Sequence, residues 1–147
     1  MEIRLLAAEH ADDAARVHRT SFDDRLPWLS GLHTPEEDRD FFRERVFHDC
    51  RVFGAFDVDR LVGFIAFRQG WIDQLYVLPD AQGRGAGTAL IAAARAEIHE
   101  LSLWTFQKNF AARRFYERNG FVAVEETDGS RNEEKEPDIR YLCLSAE

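Results

Sequence analysis

The sequence predicts an α/β fold. It should be one mixed sheet with helices on both sides, in the order β-α-α-β-β-β-α-β-α-β-β, as a single domain over residues 1–147. Three observations predict it. Short β-branched and aromatic runs alternate with segments of helical apolar period. A glycine-rich turn at residues 82–87 sits between an apolar strand-like run and an apolar helical face. The chain of 147 residues is 45% hydrophobic and 31% charged, which suits one folded core and excludes a disordered chain.

The elements follow in order. Residues 3–6 alternate like a short strand, and residues 10–20 are Ala-rich with Ala14 and Val17 on one side, a helix. Residues 21–33 are aromatic and polar, and are broken by Pro27 and Gly31, which predicts a loop. The next helix is strongly marked. Thr34 is its N-cap, Pro35 its first residue, and Glu37 completes a capping box; the helix runs on through Phe41, Phe42 and Val46. Residues 51–56 and 61–67 read as strands around a turn at 57–60. The second is apolar on both faces and should lie centrally. A tight turn leads into the strand 71–77, and the glycine turn then opens a helix with Leu90, Ile91, Ala94 and Ile98 on one face. A strand at 101–105 precedes a helix at 110–119, which Asn109 can cap and Gly120 can end. Residues 121–124 form a strand, 125–137 a charged loop, and 139–144 the last strand.

The formal net charge of −8 argues against a duplex nucleic-acid binder and is compatible with a cationic amine as partner. Apolar runs fall short of a membrane span, and no N-terminal signal pattern is visible, so a cytoplasmic location is expected. The two cysteines, Cys50 and Cys143, belong to no CxxC or Cys/His cluster. Reduced, buried thiols and no metal are expected.

The glycine turn carries chemistry. Where a strand passes through such a turn into a helix, free backbone N–H groups and the helix dipole gather at one point, a site for phosphate or pyrophosphate. A P-loop is excluded because no Gly-Lys pair exists, and Gly83, Gly85 and Gly87 have the wrong spacing for a dinucleotide fingerprint. The order Gln82-Gly83-Arg84-Gly85-Ala86-Gly87, directly after Val77-Leu78-Pro79, resembles the acyl-CoA loop of the GNAT superfamily of N-acetyltransferases. A second segment strengthens the resemblance: Asn109, then Ala112-Arg113-Arg114-Phe115-Tyr116, then Gly120-Phe121.

The resemblance covers nearly the whole chain and implies acetyl-CoA as co-substrate. It implies that residues 82–88 (Gln82, Gly83, Arg84, Gly85, Ala86, Gly87 and Thr88) hold the pyrophosphate, with Arg84 and one or more of Lys108, Arg113 and Arg114 near CoA phosphates. The backbone of Leu75, Tyr76 and Val77 would hold the pantetheine arm like an added strand, with Leu75 N–H at a strand distortion polarising the thioester carbonyl. Asn109 and Ala112 would support the cofactor, and the Tyr116 hydroxyl would serve the departing thiolate. Asp73, at even spacing with Leu75 and Val77, is the candidate base; it could equally orient the substrate or pair with Arg68. His18 and His33 are further titratable candidates.

The acceptor in this family lies between the first two helices and the late strands. This points to Phe22, Trp28, Leu29 and His33, with Trp71, Asp73 and Tyr141 opposite. The acidic residues Glu133, Glu134, Glu136 and Asp138 either attract a cation or form a solvated loop. The expected reaction is acetyl transfer to the primary amine of a small molecule, an amino acid or a peptide. The alternatives are an acyl-CoA-binding or regulatory module without turnover, and an interaction protein; a homodimer is compatible with each.

Overall fold

The computed structural model describes residues 1–144. Its strands form one seven-stranded sheet in the order β1-β2-β3-β4-β5-β7-β6. The strands are β1 (Glu2–Leu5), β2 (Arg51–Asp57), β3 (Arg60–Arg68), β4 (Trp71–Val77), β5 (Glu100–Phe106), β6 (Val122–Thr127) and β7 (Asp138–Leu144). Every pairing is antiparallel except β4 with β5. As its apolar run requires, β3 lies between β2 and β4 and is buried from Leu61 to Phe67.

Helix α1 (Ala11–Arg25) covers one face of β3 and β4, and α2 (Pro35–Phe41) packs on α1. His18 of α1 meets the Tyr76 ring edge-on at 4.7 Å, and Phe42, just after α2, meets Phe64 at 5.6 Å. Arg19 ties the two helices through Asp38, with contacts of 2.8 and 2.9 Å. The helix α4 (Ala86–Arg95) packs on β2 and β3, and α5 (Phe110–Arg118) lies beside it, with Phe115 against Gly87.

The start of α2 is as expected. Thr34 Oγ1 accepts from Glu37 N–H at 3.1 Å, and Glu37 returns the bond to Thr34 N–H at 2.8 Å. Such a cap is worth about 1 kcal/mol. Beyond Phe41 the helix widens into a π turn over Phe42–Val46 and closes with a short α3 (Phe47–Asp49), three residues past the expected end.

Two boundaries differ more. Helix α1 runs five residues into the segment expected as loop, because Ser21 and Phe22 continue its buried face and Arg19 bridges Asp23 one turn on. Pro27 stops it, since the residue before a proline leaves the helical region; Leu26 has φ −131° and ψ 62°. Strand β6 extends into the expected charged loop because its outward Glu125 pairs with Arg140 of β7 at 3.1 Å.

Candidate active site

The sheet is split at its centre. Strands β4 and β5 pair only at Trp71 and Ser102, then diverge. The opening is a cleft of about 520 Å³ between Leu75–Val77 on one wall and Leu103–Thr105 on the other. Past Trp71, the edge of β4 that faces β5 has no strand partner among the described residues. An extended ligand could use those backbone groups as an added strand would. The Val77 carbonyl is already taken, by Ser21 Oγ at 3.1 Å and Gln82 Nε2 at 2.9 Å.

The strand distortion falls two residues earlier than expected. Ile72 lies opposite Phe67 and Gln74 opposite Ala66, so Asp73 is the extra, bulged residue. The bulge breaks the even spacing that placed Asp73 on one face with Leu75 and Val77. Leu75, opposite Ile65, now shares its face with Ile72. Asp73 still lines the cleft. Its Oδ2 accepts from Arg68 Nε at 2.7 Å and from the Cys50 thiol at 3.4 Å.

The glycine turn closes one end of the cleft. Gly83 and Gly85 have φ of +77° and +86°, which favour glycine, and a Cβ at either would meet open space. Gly85 leads into α4, whose first-turn N–H groups lack carbonyl partners within the helix. Gly87 has a different reason to be glycine. A Cβ there would come within 2.7 Å of the Phe115 ring, so this residue sets the approach of α4 to α5 as well as lining the cleft. The Gln82 side chain braces the turn, accepting from Arg25 while donating to Val77.

The basic residues are distributed otherwise than expected. Arg84 turns outward to Asp57 at 3.2 Å and does not line the cleft. Lys108 pairs with Glu136 at 3.7 Å, and Arg113 donates to the Gln107 carbonyl and the Tyr141 hydroxyl. Arg25, Arg114 and Arg118 line the cleft instead, the last two one turn apart on α5. Sequence reading placed Arg114 here and missed Arg25 and Arg118. The spacing of Arg118 four residues after Arg114 was the available signal.

On α5, Asn109 caps the helix, its Oδ1 accepting from Ala112 N–H at 3.3 Å. Asn109, Ala112 and Tyr116 all line the cleft. Tyr116 is 8% exposed and packs on Phe115, Phe121 and Tyr141. Burial pushes its pKa above the ordinary tyrosine value, so it is a neutral phenol at physiological pH. Its hydroxyl makes no hydrogen bond among the described residues and is free for a ligand.

The acceptor residues expected from sequence do not form one pocket. Phe22 is buried with Leu26 and Leu29 against Tyr76 and Phe106. Trp28 is 52% exposed and donates from Nε1 to Glu136 at 2.8 Å; His33 contacts Glu133 at 2.9 Å. These contacts pin the segment between α1 and α2 to the β6–β7 connection, so Glu133 and Glu136 have structural partners. Tyr141 is fully buried between Arg113 and Glu117, which removes it from any acceptor surface. Desolvation of half-buried His18, with Arg19 beside it, pushes its pKa down to about 4. Trp71 alone of the expected aromatics meets Asp73, in a pocket adjoining the cleft together with Trp104. Trp104 was missed, although its alternation with Leu101 and Leu103 put it on the opposite face from the core. Among the described residues, no group of three or more His, Cys, Asp or Glu side chains is placed to hold a metal ion.

A sheet parted between parallel neighbours, with a left-handed glycine turn at one end and a partnerless tyrosine in the wall, has the shape and donors that an extended, phosphate-bearing acyl carrier would need. The known proteins agree. The model of the acetyltransferase (GNAT) family matches residues 16–121. An uncharacterized N-acetyltransferase of Archaeoglobus fulgidus is 28% identical over 134 residues, spanning 79% of this chain and 89% of that one. The peptidyl-lysine N-acetyltransferase YiaC of Escherichia coli is 34% identical over 67 residues, 45% of this chain and 46% of that one. The solution structure of apo YjaB from Escherichia coli superposes with a TM-score of 0.80 at 23% identity, over 99% of this chain and 98% of that one. The chain belongs to the GNAT acetyltransferase family. It is an N-acetyltransferase with acetyl-CoA as its co-substrate.

Proposed function

We propose that the protein transfers the acetyl group of acetyl-CoA directly to the primary amine of a small molecule, an amino acid or a peptide, in the cleft between β4 and β5. The observation that carries this reading is the cleft itself: an unpaired β4 edge joins the glycine turn to the Tyr116 hydroxyl. The pyrophosphate lies on the N–H groups of residues 83–88, with Arg114 and Arg118 nearby. The pantetheine arm follows β4, and the Leu75 N–H polarises the thioester carbonyl. The neutral amine attacks that carbon, the C–S bond breaks, and the nitrogen's proton passes through solvent to the departing sulfur, giving the amide and the CoA thiol. Tyr116 hydrogen-bonds the departing sulfur. A thiol has a pKa of about 8.5 and a phenol about 10 or above, so Tyr116 acts by donating a hydrogen bond before any full proton transfer.

Asp73 acts in this reading as an anchor for the acceptor. Its Oδ2 is used twice, by Arg68 and Cys50, and its Oδ1 is free among the described residues. The likeness to YiaC supports a peptidyl lysine as the second candidate acceptor. Residues 1–147 act as one catalytic domain, and a cytoplasmic location suits the reaction; no helix among the described residues is long and apolar enough to cross a membrane. The test is free-thiol release from acetyl-CoA across a panel of amines, amino acids and lysine peptides. Saturable, acceptor-dependent release supports the reading. Tight acetyl-CoA binding with no release would make the protein a binding module.

A further inference from the structure

The bulge at Asp73 borders a second concavity, of about 300 Å³, walled by Arg68, Trp71, Ile72, Asp73 and Trp104. Ile72, Asp73 and Trp104 also line the main cleft, so the two spaces communicate.

Its polar groups are arranged unusually. Arg68 holds Asp73 through Nε alone, at 2.7 Å. Its two terminal nitrogens make no hydrogen bond among the described residues. The Cys50 thiol also donates to Asp73 Oδ2. Burial and the nearby Asp73 push that thiol up to about 12, so it stays a neutral donor. Asp73 Oδ1 is left open beside the open edge of the guanidinium. The pocket therefore presents one anionic acceptor and one cationic fork side by side, both fixed by their mutual bond.

Its walls are aromatic. Trp104 is 41% exposed and Trp71 half-buried, with the Arg68 guanidinium 5.9 Å from the Trp71 ring. The indoles flank the Arg68–Asp73 pair, which stays open to solvent, and present apolar surface to a ligand.

The chemical complement of such a site is an ammonium next to a carboxylate. A polyamine would bring a second cation against Arg68. An amine without a carboxylate would leave the guanidinium fork unmatched, and a lysine side chain in a peptide carries no carboxylate near its nitrogen. We infer that this pocket is the acceptor subsite and that the acceptor is a free α-amino acid with an apolar or aromatic side chain. Its ammonium meets Asp73 Oδ1, its carboxylate meets the terminal nitrogens of Arg68, and its side chain lies against Trp71 and Trp104. The inference rests on the transferase reading: the ammonium gives one proton to solvent to become the neutral nucleophile, and as the N–C bond forms and the thioester C–S bond breaks its second proton passes through solvent to the departing sulfur, giving the CoA thiol and leaving the carboxylate unchanged.

The test measures kcat/KM by thiol release with phenylalanine, phenethylamine and a lysine peptide acetylated at its N-terminus, in the full-length enzyme and in Arg68→Gln. Phenylalanine should exceed the other two by at least about tenfold, since a site built for a polar group discriminates strongly against its absence. Arg68→Gln should lower the phenylalanine value by at least about tenfold more than it lowers the phenethylamine value, because only phenylalanine loses a carboxylate partner. Trp104→Ala should raise KM more for phenylalanine than for alanine. Equal or better use of phenethylamine or the peptide would overturn the subsite and leave the transferase standing, as would an equal loss on both substrates in Arg68→Gln. Acetyl-CoA binding by calorimetry without release from any of these or from the other amino acids would overturn both readings.

Discussion

Tyr116 is buried and His18 half-buried with its Nδ1 enclosed, and desolvation acts on the two in opposite directions. A phenol is neutral in its protonated form, so burial raises its pKa; an imidazole is neutral when deprotonated, so burial lowers it. In the proposed reaction a neutral Tyr116 can donate to the departing sulfur. Tyr116→Phe keeps the ring packing and should lower kcat by roughly 10- to 1,000-fold, with acetyl-CoA affinity unchanged by calorimetry. An unaltered kcat, where chemistry limits the rate, would remove Tyr116 from the reaction. For His18 the consequence is stability. The unfolded histidine takes a proton near pH 6.5 and the folded one only near 4, so folding stability is complete above about 6.5 and falls as pH drops toward 4. The loss is on the order of 3 kcal/mol. His18 Nδ1 is buried without a partner among the described residues, and the ring sits between Phe22, Phe42 and Tyr76. His18→Phe should flatten the acid side of the stability profile, measured by urea unfolding between pH 4 and 7. An unchanged slope would place the acid sensitivity elsewhere. Tyr116 was singled out by the distinctive pattern of its segment, and the fold puts it in the cleft wall. Tyr141 was misplaced because strand alternation does not say which face carries the ligand.

At the scale of elements, the glycine turn shows what a motif reveals and what it conceals. Gly83 and Gly85 sit where only glycine is relaxed, whereas Gly87 serves helix packing against Phe115. The two kinds of substitution should separate. Gly87→Val should cost about 1–3 kcal/mol in stability by overpacking the α4–α5 contact. Gly85→Ala should cost about 1–2 kcal/mol through its left-handed backbone. Chemical denaturation measures both. A Gly87→Val protein as stable as the wild type would mean that α5 moves aside freely. Helix caps were legible because Thr34, Pro35 and Glu37 act locally. The extension of α1 was not, because it depends on Phe22 finding Tyr76 and Phe106, which are far away in sequence. The bulge at Asp73 was also hidden, since an extra residue in β4 is defined only by its register against β3.

For the whole molecule, the order of elements was readable because each strand and helix has its own period. The parting of β4 from β5 was not, because it depends on strands far apart in sequence meeting at a single pair. The charge balance likewise needed the fold. A net charge of −8 hides a cleft lined by Arg25, Arg114 and Arg118, while Arg84, the arginine inside the motif, pairs with Asp57 outside it. The double change Arg114→Gln, Arg118→Gln should weaken acetyl-CoA binding by roughly 10-fold and reduce its dependence on salt. Arg84→Gln should change it by less than about 3-fold. The reverse ranking would return the phosphate contact to the loop arginine.

The central claim is that acetyl-CoA fills the cleft between β4 and β5, and a crystal structure of the CoA complex tests it most directly. The account predicts the pyrophosphate on the N–H groups of residues 83–88, the pantetheine arm along Leu75 and Tyr76, and the sulfur within hydrogen-bonding reach of the Tyr116 hydroxyl. CoA bound outside the cleft, or threaded through it with the sulfur remote from Tyr116, would contradict it.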